Sequence, residues 1–275
     1  MLGMTSGELW LGLVMEFMPG GTLCDLTVNT SIKIPYLLRL QFCYDIVSGL
    51  SYLHKYDDKK RMTHGDLKLE NILLSQNLIC KICDFGTTKL ADITGLTYTQ
   101  NRTPALPFTT SYAAPERRRD PAIPTSTAMD IFSLGIIFMS LLTREKPTAT
   151  SNILSEMGYY GVILTAGWEE HDLVDFLTRL HWHACKDIPN ERPDIVYFQN
   201  HLVNKMCKTN MAEIRMSVTD ILKVYPINAS PDIDNFNTTL TRAMKSRLSE
   251  NACCPHTGRR RLQRSRSYQG PLTEI

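Results

Sequence analysis

Four polar side chains between positions 63 and 86 have the types and spacing needed for acid, base and metal chemistry. Asp66, Lys68 and Asn71 lie in the stretch THGDLKLEN, and Asp84 follows thirteen residues after Asn71. One carboxylate of such a set can accept the proton of an attacking hydroxyl. The second carboxylate and the amide oxygen can hold Mg²⁺ against phosphate groups. The set therefore predicts metal-assisted phosphoryl transfer.

Two short apolar runs separate these side chains and predict the element that supports them. The runs are residues 72 to 74 and 78 to 83, and residues 75 to 77 (Ser-Gln-Asn) divide them. Short apolar runs on either side of a polar tripeptide are typical of two strands joined by a tight turn. A hairpin of this kind would bring the loop of Asp66 close to the loop of Asp84.

The stretch HGDLKLEN resembles the catalytic loop of eukaryotic protein kinases, in which H-R-D-L-x-x-x-N is usual. D-F-G at 84 to 86 and A-P-E at 114 to 116 follow in the family's order. We therefore identify the chain as a member of this family over about residues 8 to 209. Lys68 agrees with the serine/threonine type, and HGDLK also resembles the tyrosine-kinase-like or receptor-interacting group. The resemblance implies an α+β, mainly α fold, namely a kinase C-lobe built as a helical bundle with short β-hairpins.

The resemblance assigns a catalytic role to each of the four polar side chains. It makes Asp66 the base that orients the substrate hydroxyl, and Lys68 the cation that neutralises the transferred γ-phosphoryl group of ATP. Asn71 and Asp84 would ligate Mg²⁺. We expect ATP and Mg²⁺ as cofactors and a protein as substrate, although the sequence does not name that protein.

Six further residues receive structural roles from the resemblance. These are His64 and Phe85 in a stacked apolar spine, Thr109 bridging the catalytic acid and lysine, Asp130 bonding the catalytic-loop backbone, and Glu116 paired with Arg192. Residues 129 to 142 are almost all apolar, which predicts a helix buried on every side. Asp130 lies within this helix and needs hydrogen-bond partners, because a buried carboxylate without them is costly.

The apolar run ELWLGLVMEFM, residues 8 to 18, precedes Pro19-Gly20-Gly21 and predicts a buried strand followed by a turn. By resemblance this strand leads into the hinge that binds adenine. Met15 would be the gatekeeper, and the backbone groups of Glu16 and Met18 would bond the adenine. Leu73 would form the apolar floor beneath it.

We expect four segments along the chain. Residues 1 to 18 would be residual N-lobe strands and the start of the hinge, 19 to 209 the C-lobe, 210 to 225 one more helix, and 226 to 275 a polar to basic disordered tail. Within the lobe, helices are predicted at 35 to 55, 129 to 142, 153 to 164, 168 to 185 and 194 to 209. The tail is basic, since residues 245 to 275 hold seven Lys/Arg against two Glu.

The glycine-rich loop G-x-G-x-x-G of kinases does not occur in the chain. The region before the hinge is too short for the strands and helix of a kinase N-lobe, so we expect a truncated N-lobe. Positioning and electrostatic stabilisation provide most of the catalysis in this chemistry. We therefore expect the 275-residue chain to be weakly active or inactive alone. The alternative is a non-catalytic scaffold, against which the intact set of Asp66, Lys68, Asn71 and Asp84 argues.

Gly65 departs from the family, which usually has Arg at this position. That Arg commonly pairs with a phosphate on the activation loop, here residues 87 to 113. Its absence implies that loop phosphorylation is not the switch, or that the protein is not switched.

Composition and short motifs constrain location and partners. No apolar run approaches the roughly 20 residues of a membrane span. Apart from the adjacent Cys253-Cys254, the eight cysteines are scattered, and their spacing does not suggest a disulfide framework or a zinc site. This favours reduced thiols in a cytoplasmic protein. His181, His183 and Cys185 could form a metal cluster, but their apolar helical stretch favours core or surface roles.

Arg264-x-x-Ser267 resembles a site for phosphorylation or adaptor binding. The basic tail lacks interleaved aromatic residues, which argues against a nucleic-acid partner.

Overall fold

The fold is seen in a computed structural model, which describes residues 3–7, 10–55, 60–92, 108–148, 171–225 and 227. The strands are β1 (Gly3–Gly7), β2 (Trp10–Val14), β3 (Lys60–Thr63), β4 (Ile72–Leu74), β5 (Cys80–Ile82) and β6 (Lys89–Asp92). The helices are α1 (Leu23–Val28), α2 (Tyr36–His54), α3 (Pro115–Arg119), α4 (Thr127–Thr143), α5 (His171–Ala184), α6 (Ile195–Cys207) and α7 (Met211–Leu222).

Two long helices, α2 and α4, form the centre of the described core. On α2, Phe42, Ile46 and Leu50 are fully buried, as their helical spacing predicts. On α4, every residue from position 129 to 142 is buried. Helix α4 packs against α5, and α2 packs against α6 and α7. The helices predicted from the sequence at 35 to 55, 129 to 142, 194 to 209 and 210 to 225 are confirmed.

Gly135 allows α4 and α5 to approach closely. A Cβ at this position would lie 2.6 Å from Cys185 Sγ and 2.7 Å from Ala184 Cβ. His181 is buried on α5, and its Nδ1 lies 2.9 Å from the Gly135 carbonyl oxygen. Burial lowers the pKa of His181. His183 instead packs its ring against that of Tyr197, with centroids 5.3 Å apart. The contacts of Gly135 and His181 are therefore packing in the core, and the contact of His183 with Tyr197 is packing at the surface.

The strands pair antiparallel in three two-stranded sheets, β1–β2, β3–β6 and β4–β5. The β4–β5 hairpin is the one predicted from the sequence, with Ile72 opposite Ile82. The β3–β6 pair was not predicted. Residues 89 to 92, which form β6, lie within the segment expected to be the activation loop, residues 87 to 113. Each strand has only four residues, and its paired positions are 26 to 32 residues away, so neither strand has a local pattern.

A strand is present within residues 8 to 18, as expected, but the expectation that it is buried is wrong. Residues 8 and 9 lie outside the described part of the chain, and β2 covers only Trp10–Val14. The side chains of Leu13, Met15 and Phe17 are at least half exposed. Strand β2 pairs with β1 in a sheet of two strands, and such a sheet leaves its apolar side chains in solvent unless another layer covers them.

Side chains cap helix α1 at both ends. The helix begins with a capping box, in which Thr22 and Asp25 bond each other's backbone N–H. At its other end, the Arg144 guanidinium donates to the carbonyls of Leu26, Thr27, Asn29 and Ile32. Arg144 itself has φ +62° and ends α4. The end of α4 thereby satisfies the free carbonyls of α1.

Several predictions fall outside the described residues. These are the helix at 153 to 164, residues 168 to 170 of the helix that became α5, and nearly all of the tail from 226 onward, including Ser267. Among the described helices, none combines the length and the apolar character needed to cross a bilayer.

Candidate functional site

Asp66, Lys68 and Thr109 form one bonded group at the edge of the catalytic loop. Lys68 Nζ lies 2.7 Å from Asp66 Oδ2 and 2.7 Å from Thr109 Oγ1. The Thr109 backbone N–H donates to Asp66 Oδ1 at 2.8 Å. The Asp66 and Lys68 side chains remain 13% and 21% exposed. The three residues are therefore positioned by each other, yet they can still be reached from solvent.

The β4–β5 hairpin brings Asn71 and Asp84 to the same end of the site. Asn71 directly precedes β4, and its backbone carbonyl accepts from the Cys83 N–H at 2.9 Å. The Asn71 amide donates to the Asp66 carbonyl at 2.9 Å. Asp84 is exposed, with φ +61°, and its carboxylate accepts from the Gly86 N–H at 3.3 Å. The left-handed backbone at Asp84 turns the chain sharply out of β5.

Asp130 supports the catalytic loop from beneath. Its carboxylate is almost fully buried and accepts from the backbone N–H groups of His64 and Gly65 at 2.8 and 2.9 Å. His54 Nε2, at the end of α2, lies 2.9 Å from Asp130 Oδ2. The predicted bonds from Asp130 to the loop backbone are thus present. The contribution of His54 was not predicted. Its only sequence signal is its place at the end of a helix that leads to the loop.

His64 and Phe85 contact each other, but they differ in burial. Their ring centroids are 5.6 Å apart in an edge-on arrangement. His64 is fully buried, and its Nε2 lies 2.9 Å from the Cys83 carbonyl oxygen. Phe85 is 46% exposed. The pair therefore links the catalytic loop to the D-F-G segment through one buried ring and one half-exposed ring.

Gly65 has a backbone conformation that favours glycine. Its φ is +85°, and a Cβ there would lie 3.0 Å from the Thr87 carbonyl oxygen. The Thr87 hydroxyl also donates to the His64 carbonyl at 2.8 Å. The segment after D-F-G therefore packs directly on the catalytic loop, at the position where the family usually has an Arg side chain.

The predicted hinge residues differ in their surroundings. Met15 is 56% exposed, and Glu16 pairs with Lys81 on β5 at 2.6 Å in solvent. Met18 is buried, and its carbonyl accepts from the Gly21 N–H at 3.3 Å. Leu73 on β4 pairs with Thr22 in a bridge just beyond this turn. The structure thus places the turn that follows Met18 against strand β4, which carries Leu73, and leaves the Met15 side chain more than half exposed.

Glu116 and Arg192 fix the A-P-E segment to the helical core. The Arg192 guanidinium donates to both Glu116 carboxylate oxygens, at 2.7 and 2.8 Å. It also donates to the carbonyls of Lys186, Asp187 and Ala128. The ion pair expected from the sequence is present, with the Arg192 side chain fully buried.

Two partly buried acids near the site were missed by sequence reasoning. Glu70, inside the catalytic loop, forms an ion pair with Lys146, and burial raises the pKa of the neighbouring Cys24 to about 11. Asp45 on α2 accepts from the Cys80 N–H at 3.0 Å and from Gln41 at 2.6 Å. Burial nevertheless raises the pKa of Asp45 to about 6. Neither acid stands out in the sequence, because its partners are set by the fold.

Comparison with known proteins gives a consistent result. The model of the protein kinase domain matches residues 1–253. The chain is 28% identical over 210 residues to the probable serine/threonine-protein kinase kinX of Dictyostelium discoideum, covering 76% of this chain and 18% of that protein. It is 31% identical over 228 residues to the receptor protein kinase WSS1 of Oryza sativa subsp. japonica, covering 73% and 24%. The chain thus spans less than a quarter of the length of these two relatives.

Proposed function

Because the chain belongs to the protein kinase family, we propose that it transfers the γ-phosphoryl group of Mg·ATP to a serine or threonine hydroxyl of a protein. The observation that carries this proposal is the bonded group of Asp66, Lys68 and Thr109. A carboxylate held on both oxygens keeps a fixed direction, which is what orienting a hydroxyl requires.

Asp66 and Lys68 would act on the two sides of the transferred group. Asp66 orients the substrate hydroxyl and accepts its proton as the hydroxyl oxygen bonds to phosphorus and the bond to ADP breaks. Lys68 places a positive charge beside the phosphoryl oxygens, where negative charge must be stabilised. Thr109 is a positioning residue, since its backbone and hydroxyl both hold Asp66 in place.

Asn71 and Asp84 have the chemistry that a Mg²⁺ ion requires. Mg²⁺ prefers oxygen ligands, and it is held in such sites by few carboxylates together with phosphate. Asp84 has an exposed carboxylate. The Asn71 amide nitrogen is used by the Asp66 carbonyl, which directs the amide oxygen away from that bond. When bound, Mg²⁺ would neutralise phosphate charge, and these two residues would hold it.

The hinge would bind adenine through its backbone. Met18 is buried beside the strand that carries Leu73, and within the described residues no hydrogen bond occupies the Met18 N–H. Glu16 would contribute its carbonyl, and Leu73 the apolar floor. Met15 would be the gatekeeper at the back of this site.

The expected rate and location follow from the sequence. The printed chain contains no G-x-G-x-x-G, so it supplies no such loop over the phosphates, and we expect slow transfer with measurable binding of Mg·ATP. A cytoplasmic location is in keeping with the six described cysteines, which are all free thiols.

The proposal can be tested with three proteins, wild type, Asp66→Asn and Asp84→Asn. We expect Mg·ATP to raise the melting temperature of wild type and of Asp66→Asn, but not that of Asp84→Asn. Transfer of labelled phosphate to a generic protein substrate should be lost in both variants. Asp220→Asn, an exposed change on α7, is the matched control and should behave as wild type.

The outcomes separate an enzyme from a scaffold. A wild-type chain that shows neither Mg²⁺-dependent nucleotide binding nor transfer would contradict the proposal and support a non-catalytic role. Transfer that persists in Asp66→Asn would show that Asp66 does not have the role we assign to it.

A further inference from the structure

The chain turns inward directly after helix α7. The N–H groups of Val224 and Tyr225 both donate to the Ile221 carbonyl, at 2.9 and 2.8 Å. Ile214 and Ile221 are buried, and α7 packs against α2. Tyr225 is therefore carried on a firmly docked helix, and its own side chain is only 9% exposed.

The Tyr225 hydroxyl bonds the backbone at the end of the predicted hinge. It donates to the Gly20 carbonyl at 3.0 Å, in a buried position, across 205 residues of sequence. Burial, assisted by the negative charge of Asp25, raises the pKa of Tyr225. The phenol therefore stays protonated at neutral pH and remains a donor.

Residues 18 to 21, which we name the hinge turn, are held on the opposite side by strand β4. The Gly20 N–H donates to the Leu74 carbonyl at 2.9 Å, and the Leu74 N–H donates to the Gly21 carbonyl at 2.9 Å. A Cβ on Gly20 would lie 2.6 Å from Leu74 Cβ, so this contact requires glycine. Both backbone polar groups of Gly20 are thus bonded, the N–H to the Leu74 carbonyl and the carbonyl to the Tyr225 hydroxyl.

We infer that Tyr225 is a positioning residue for the nucleotide site. The hinge turn starts at Met18, whose N–H is proposed above to bond adenine, and it is followed by the bridge from Thr22 to Leu73. A bond that fixes the Gly20 carbonyl therefore fixes the distance between Met18 and Leu73. This inference rests on the proposed function, because only a nucleotide-binding hinge gives that distance a purpose.

Much of the hinge is exposed, which makes the bond from Tyr225 to Gly20 more important for holding the hinge in place. Met15 and Phe17 are at least half exposed, and the pair of Glu16 with Lys81 lies in solvent. An exposed ion pair contributes little to order. The bonds that keep the hinge backbone in one conformation must therefore lie at its buried end, where the Tyr225 hydroxyl is located.

The test is Tyr225→Phe, which removes the hydroxyl and keeps the ring. In the nucleotide-free 275-residue chain, we expect hydrogen exchange at the Gly20 and Leu74 amides to become about five- to tenfold faster, the size expected for one net hydrogen bond. Exchange within α2 should not change. Tyr52→Phe is the matched control, because the Tyr52 side chain is 73% exposed, and it should leave all rates unchanged.

The second measurement is the dissociation constant for Mg·ADP. We expect Tyr225→Phe to weaken binding about three- to tenfold, with the midpoint of urea unfolding lowered by no more than the loss of about one hydrogen bond requires. Unchanged exchange at Gly20 and Leu74 would overturn the inference, since Tyr225 would then act only through its ring. Faster exchange with unchanged affinity for Mg·ADP would overturn the positioning role. A wild-type chain that binds no Mg·ADP would instead overturn the proposed function, and the exchange rates would still decide whether Tyr225 orders the hinge turn.

Discussion

The catalytic loop (residues 64 to 71) and the hinge segment (residues 10 to 21) are built in opposite ways. Around the catalytic loop, polar groups are buried and bonded, as Asp130 shows with its contacts to His54, His64 and Gly65. Along the hinge segment, apolar side chains such as Leu13 and Met15 are exposed. The difference teaches that the loop geometry is secured by the helical core, whereas the hinge geometry depends on a few bonds at its buried end.

The comparison has an energetic consequence. A buried charge that loses its partners retains its full desolvation cost, whereas an exposed group exchanges its partners for water. Substitutions around the catalytic loop should therefore cost much more stability than similar substitutions along the hinge segment. Four changes test this difference, from the largest expected effect to the smallest.

The largest effect is expected from Asp130→Ala. It leaves His54 and two backbone N–H groups without their acceptor, so the free energy of unfolding should fall by about 3–5 kcal/mol. Urea denaturation of both proteins measures this. Asp220→Ala removes an exposed partner of Lys223 and should cost less than about 1 kcal/mol. Equal losses in the two variants would contradict the buried network.

A matched pair of leucines compares the two regions directly. Leu50 on α2 is fully buried, and Leu50→Ala should lower the free energy of unfolding by about 2–5 kcal/mol through a cavity. Leu13 on β2 is 59% exposed, and Leu13→Ala should change it by less than about 0.5 kcal/mol. If Leu13→Ala proved as costly as Leu50→Ala, the hinge segment would be covered in solution and the comparison would fail.

Asp45 should give a smaller effect that depends on pH. Its pKa in the folded chain is raised from 3.8 to about 6 by burial, so the folded state binds the proton more tightly than the unfolded state. The resulting stabilisation is present below pH 4 and is lost as the pH rises through 6. Because Asp45 is only partly buried, we expect a loss on the order of 1 kcal/mol.

Asp45→Asn provides the reference for that measurement. The variant cannot titrate, so the difference in unfolding free energy between it and wild type should change between pH 4 and pH 7, to the disadvantage of wild type. A difference that stays constant across this range would mean that Asp45 titrates normally.

The smallest effect is expected from Glu16→Gln. The pair of Glu16 with Lys81 is exposed, with side chains 58% and 48% accessible, so its loss should cost less than about 0.5 kcal/mol. Thermal unfolding at low salt measures this, and high salt should abolish the difference. A loss above 1 kcal/mol would show that this pair, rather than the buried end, orders the hinge segment.

Local patterns in the sequence were sufficient for much of the site. The β4–β5 hairpin was predictable because its two runs are adjacent and its turn is polar. Helix α2 was predictable because its apolar residues repeat at helical spacing, and α4 because it is a long run of almost entirely apolar residues. The position of Asp130 under the loop came from the family resemblance, since no local pattern joins residues 64 and 130.

The predictions that failed, and the contacts that were missed, have a common physical cause. A sequence pattern does not show which other segment of the chain will pack on it or pair with it. The apolar run at 8 to 18 predicts a strand, but whether it is buried depends on what covers it. The β3–β6 pair consists of two short segments without a pattern of their own. The bond from Tyr225 to Gly20 joins positions 205 residues apart, and nothing in either segment indicates the other.

Arg144 implies an order of events during synthesis of the chain. Helix α1 has six residues, far fewer than an isolated helix needs to persist in water. The carbonyls at its end, those of Leu26, Thr27 and Asn29, bond a guanidinium that is encoded 115 to 118 positions later. As the chain leaves the ribosome from its amino end, α1 therefore emerges long before its cap and becomes fixed only when the end of α4 has followed. A helix that is translated before α4 is thus completed only after α4.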